Sequence, residues 1–157
     1  MLDFDTYTRL LALYADYAAA LDNGALDKWP AFFTEDCTYR LQSRENYDSG
    51  YPLATLSFES RGMLKDRIYG VTETIFHDPY YQRHVVGVPR VHTFDGTRIT
   101  AEANYAVFRT KPDGLTSVYN VGRYIDTIRC EPEQLLFESR ICVFDSEMIP
   151  NSIIYPI

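Results

Sequence analysis

Residues 99–144 read ITAEANYAVFRT-KPDG-LTSVYNVGRYIDTIRC-EPEQ-LLFESRICVF, three long segments separated by two turns. In the first segment Ala101, Ala103, Tyr105 and Val107 occupy alternate positions, the period of a strand with one buried face. Lys111-Pro112-Asp113-Gly114 supplies a turn, because proline presets φ and glycine is free to take the left-handed position. Strands are predicted over 99–110, 117–128 and 135–144, an antiparallel meander whose second turn contains Glu131-Pro132-Glu133.

Upstream of this meander the period changes to that of helices. Tyr7, Leu10, Leu11, Tyr14, Tyr17, Ala18 and Leu21 form one apolar face, with Asp5 placed to cap its start and Gly24 to close it. A short helix is predicted over 25–33, burying Trp29, Phe32 and Phe33, and then a strand over 37–41. Residues 44–52 read as a loop, and the spacing of Met63, Leu64, Ile68, Val71 and Ile75 predicts a helix over 58–76, ended at the latest by Pro79. Residues 82–88 read as extended. Helices first and long strands last argue for a single α+β domain over residues 1–157, its helices packed on one face of a curved sheet.

A net charge of −7, with no run of Lys or Arg, makes nucleic acid and anionic lipid poor partners. No apolar stretch is long enough to span a bilayer. Met1-Leu2-Asp3-Phe4-Asp5 is acidic where a secretory signal needs a basic start, so a cytoplasmic location is expected. Cys37, Cys130 and Cys142, an odd and widely spaced set, read as buried reduced thiols.

Metal ligands do not converge locally. The histidines are His77, His84 and His92. In one strand His77 and His84 would face opposite ways, while His84 and His92 would lie about 26 Å apart. No metal, cofactor or phosphate-cradle motif is found, and no serine has the glycine-flanked elbow of a nucleophile. One weaker constellation remains. Asp22, at the end of the first helix, and His84, at the start of a strand, could form a general acid–base pair, with Tyr14, Tyr39 and Tyr105 lining the space between. The plainer reading is a satisfied buried pair fixing helix to sheet.

The last nine residues carry no charge and hold four isoleucines. Each isoleucine gains about 1.5–3 kcal/mol on full burial, so this tail must dock, on its own domain or on a partner. Thirteen tyrosines, together with arginines set among aromatics, suit subunit contacts. Interface candidates are Arg83 with Tyr80 and Tyr81, and the tail residues Ile149, Ile153, Ile154, Tyr155 and Ile157.

Several separated blocks resemble the small subunits of Rieske aromatic-ring-hydroxylating oxygenases. They are Trp29-Pro30, Phe32-Phe33-Thr34-Glu35-Asp36-Cys37 and Tyr39; Met63-Leu64-Lys65-Asp66-Arg67; Arg83-His84; and Arg140-Ile141-Cys142-Val143-Phe144-Asp145-Ser146. Tyr39-Arg40-Leu41-Gln42, His77-Asp78-Pro79-Tyr80-Tyr81-Gln82 and Ser146-Glu147-Met148-Ile149-Pro150 are most similar to the salicylate-hydroxylating members. The resemblance implies a cone-shaped fold like that of nuclear transport factor 2, a curved antiparallel-rich sheet with N-terminal helices on its concave face. It further implies a non-catalytic subunit in an assembly of three large and three small subunits. The large subunit would carry the Rieske [2Fe-2S] cluster, the mononuclear Fe(II) and the pocket for an aromatic acid, salicylate, converted to gentisate. Electrons would come from NADH through a reductase and ferredoxin. The alternative is a stand-alone cone-fold dehydratase or isomerase using Asp22 and His84, since a fold does not fix a function.

Overall fold

The computed structural model describes residues 1–148 and 152–157. It begins with helix α1, Phe4–Asp22, which buries Leu10, Leu13, Tyr14, Tyr17 and Leu21 along one stripe. The cap is Asp3 rather than Asp5: its carboxylate accepts the Thr6 N–H at 2.9 Å. Asp5 instead falls in the first turn, where a negative charge still complements the helix dipole. Gly24, at φ +72°, reverses the chain into a 3₁₀ turn, Leu26–Phe32, that sends Trp29 into the core.

Strand β1, Phe33–Ser43, is longer than predicted at both ends. The expected loop after it opens with a single helical turn, α2, Arg44–Asp48, capped by Ser43. Strand β2 is Leu56–Phe58 and helix α3 is Arg61–Tyr69. The helix predicted over 58–76 is therefore shorter. Phe58 is in a strand, Ser60 caps the true start by accepting the Met63 N–H at 3.1 Å, and a π turn, Gly70–Thr74, ends it. Strands β3, Tyr81–Val86, and β4, Arg90–Phe94, precede the meander of β5, Arg98–Thr110, β6, Ser117–Cys130, and β7, Leu135–Phe144.

The strands form one sheet in the order β2-β1-β7-β6-β5-β3, with β4 also paired to β5. Every pairing is antiparallel except β1 with β7. Helix α1 lies against β3 and β7, and α3 against β1 and the 3₁₀ turn. On the face they cover, Ile99, Ala101, Ala103, Tyr105 and Val107 of β5 are buried, while Arg98, Glu102 and Asn104 point outward. This is the expected α+β cone.

The tail docks on its own chain. Ile153 and Ile157 are 5% and 0% exposed. Tyr17 and Tyr39 donate to the Ile157 main-chain oxygen at 2.8 and 3.2 Å, and the Ile157 N–H donates to the Tyr39 hydroxyl at 3.1 Å. Arg67 holds the Ile154 carbonyl at 2.8 Å. As interface candidates, Ile153 and Ile157 are thus corrected: their surface is taken up inside the cone. Ile154 and Tyr155 remain half-buried, and Ile149 lies outside the described residues.

Candidate functional site

At the centre of the concave face β6 and β7 place Asp126 directly opposite Arg140. Both point toward α1 and both side chains are fully buried. Arg140 donates through Nε and Nη2 to the two carboxylate oxygens at 2.9 and 2.8 Å, a bidentate pairing. The Tyr14 hydroxyl donates to the same carboxylate. The guanidinium carbon lies 3.8 to 4.9 Å from the ring centres of Phe137, Tyr124, Tyr17 and Tyr14, which soften the loss of water around the charge. Burial opposes the Arg140 charge, but the Asp126 carboxylate outweighs it and holds the guanidinium's pKa above its ordinary value. Burial, with the Asp126 charge second, raises that of Tyr14. Sequence reading missed this pair. Counting back from the Glu131–Gln134 turn would have set Asp126 opposite Ser139; a bulge between Thr127 and Ile128 shifts the register by one and brings Arg140 there instead.

Of the acid–base candidates, the structure joins Asp22 and His84. His84 Nδ1 lies 2.6 Å from Asp22 Oδ1, and the His84 backbone N–H donates to Asp22 Oδ2 at 2.8 Å. The carboxylate thereby covers an edge strand's free amide. His84 Nε2 is buried and has no hydrogen-bond partner among the described residues. Tyr14 lines the same cavity as Asp22 and His84, although its hydroxyl donates to Asp126; Tyr105 is not in that lining and donates to Asn120 at 2.6 Å. Tyr39 binds the tail.

The three histidines stay apart. His77 Nε2 lies 2.8 Å from the Tyr155 hydroxyl, and His92 faces Glu102 at 3.6 Å. Among the described residues no group of three or more His, Cys, Asp or Glu is arranged to hold a metal ion. Cys37 and Cys142 are buried, their thiols pushed up by that burial to about 11 and about 12. Cys130, expected to be buried, is only half so. No helix is long and apolar enough to cross a membrane among the described residues.

The opposite face of the sheet is apolar near β3. Register aligns Arg83 with Phe108 and Val118, and Val85 with Ala106 and Val121. Tyr81, Val85 and Val118 are 72%, 57% and 61% exposed. Two interface candidates, Tyr81 and Arg83, lie on this face. The third, Tyr80, is half-buried and packs on Tyr155 with ring centres 4.8 Å apart.

The SnoaL-like domain profile matches residues 4–141. The chain is 32% identical to the small subunit of anthranilate 1,2-dioxygenase from Burkholderia cepacia, over 99% of this chain and 96% of that one. It is 31% identical to a beta subunit of the terminal oxygenase component of terephthalate 1,2-dioxygenase from Comamonas, over 95% and 97%. Among solved structures, a beta subunit assigned to an aromatic-ring-hydroxylating dioxygenase of Novosphingobium aromaticivorans superposes with a TM-score of 0.89 at 33% identity, over 96% of each chain. Naphthalene 1,2-dioxygenase shares the fold, with a TM-score of 0.81 at 13% identity over 100% of this chain and 88% of that one. The chain belongs to the SnoaL-like domain family and, within it, to the small subunits of the aromatic-ring-hydroxylating dioxygenases.

Proposed function

We propose that this subunit is structural: it stabilises large catalytic subunits, three of each per assembly, and performs no chemistry itself. The large subunit carries the Rieske cluster, the mononuclear Fe(II) and the substrate pocket, and is fed by NADH through a reductase and ferredoxin in the cytoplasm. The substrate is an aromatic acid, salicylate in our reading, hydroxylated to gentisate. The observation that carries the structural role is the filling of the cone. Ile157 occupies its centre, bonded by Tyr17 and Tyr39, while the outer sheet face leaves Tyr81, Val85 and Val118 in water. Apolar rows of that kind mark interaction surfaces, and the anthranilate and terephthalate relatives support an acidic aromatic substrate.

Co-expression with an oxygenase large subunit, followed by size exclusion, tests the assembly. Wild type should co-elute, and a Val85→Glu/Val118→Glu double variant should separate with its circular dichroism unchanged. A lone, monodisperse chain that binds no large subunit overturns the reading. The reconstituted enzyme, assayed on salicylate, anthranilate and terephthalate, decides the substrate by its products.

The Asp22–His84 geometry favours a second reading, a dehydratase or isomerase, because Nδ1 held by a carboxylate leaves Nε2 as a base. Turnover of a small carbonyl substrate by the lone chain, lost in His84→Gln with the fold intact, would establish it. No turnover by the lone wild-type chain removes it.

A further inference from the structure

Between the C-terminal end of α1 and the start of β3 lies a cavity of about 260 Å³. It is walled by Leu21, Leu26, Tyr80 and Tyr155, and Gln82 also lines it. Gln82 is 4% exposed, yet its amide Nε2 and Oε1 are both buried without a hydrogen-bond partner among the described residues. A buried amide with neither its donor nor its acceptor matched is uncommon in native proteins and asks for an explanation. The inward positions of β3 are Gln82, His84 and Val86. His84 has Asp22 as its partner, and Val86 needs none. An aliphatic side chain at 82 would have served packing alone.

The surroundings restrict what can answer this amide. Among the described residues no Lys or Arg lines the cavity and Asp22 is its one carboxylate, and the last turn of α1 ends there. A helix C-terminus carries partial negative charge, so an anion is disfavoured. The matching group is uncharged, flat, and presents an N–H donor and a carbonyl acceptor side by side.

We propose that this cavity binds a small aromatic carboxamide. Its N–H donates to Gln82 Oε1, its carbonyl accepts from Gln82 Nε2, and its ring lies among Leu21, Leu26 and Tyr80. The site selects against the aromatic carboxylates that the relatives' names point to, and it stands whether or not the subunit is purely structural.

Benzamide, benzoate and N,N-dimethylbenzamide, titrated into the full chain by calorimetry and NMR, test the site. Benzamide should saturate it and bind at least tenfold more tightly than benzoate. Dimethylbenzamide, which keeps the carbonyl and lacks the N–H, should be at least tenfold weaker too. Gln82→Leu should abolish the preference at unchanged melting temperature. If that variant fails to fold, the comparison of the three ligands on wild type still decides. Equal affinity for benzoate or for dimethylbenzamide, undiminished binding in a folded Gln82→Leu, or soaked crystals showing binding at crystal concentration only or water alone against Gln82, overturns the proposal.

Discussion

Arg140 has no exposed surface and depends on Asp126 for its charge balance, so replacing one member strands the other in a dry core. Arg140→Met should destabilise the chain by about 3–5 kcal/mol in urea unfolding, and adding Asp126→Leu should restore much of that loss. Glu138, bonded by Arg98 and Arg129, is the opposite case near the surface. Those bonds hold its carboxyl at about 2 rather than 4.5. A depressed native pKa stabilises above the unfolded value, and that stability is lost as pH falls from about 4.5 toward 2. Thermal melts of Glu138→Gln should therefore lack part of the drop that wild type shows across this window. At this scale the sequence was partly legible. Asp22 and His84 could be paired because Asp22 ends a helix and His84 takes an inward position of the alternating strand that follows. Asp126 and Arg140 escaped because an aspartate and an arginine in mid-strand look like surface residues, and the bulge between Thr127 and Ile128 hides the register that pairs them.

At Gly122, strand β6 lies against β7 with no room for a side chain. A Cβ built there would meet the Val143 carbonyl oxygen at 1.9 Å, a gap only backbone movement could open. Gly122→Ala should cost at least the 1–3 kcal/mol typical of overpacking, visible as a lower melting temperature with weakened protection of the β6 amides. The meander was readable because alternation and turn chemistry agreed: β7 runs Leu135–Phe144, as predicted. Strand β4 was not, since Arg-Val-His-Thr-Phe is mostly exposed and shows no buried alternation. The long helix expected over 58–76 failed because helical spacing continues past Tyr69, whereas Ser60 and the π turn at Gly70–Thr74 set the real limits. Short edge elements and caps depend on tertiary partners that periodicity does not encode.

Across the whole molecule, the tail closes what the helices and sheet leave open. Deleting residues 153–157 removes the burial of Ile153 and Ile157, worth about 3–6 kcal/mol together. It also leaves the Tyr17 and Tyr39 hydroxyls without the Ile157 oxygen as acceptor, so the truncated chain should unfold at markedly lower denaturant. The sequence announced that this segment must be covered, but not by what, because an apolar run carries no address. The parallel pairing of β1 with β7, Thr38 beside Ser139 and Leu41 beside Cys142, has a bearing on biosynthesis. The ribosome delivers β1 early, and its central neighbour emerges only after the entire meander has been made. Until then the nascent polypeptide holds an unsatisfied hydrogen-bonding flank, the state most exposed to mispairing. Ribosome-stalled chains ending before Leu135 should stay protease-sensitive throughout, and those extended past Phe144 should become resistant in a single step.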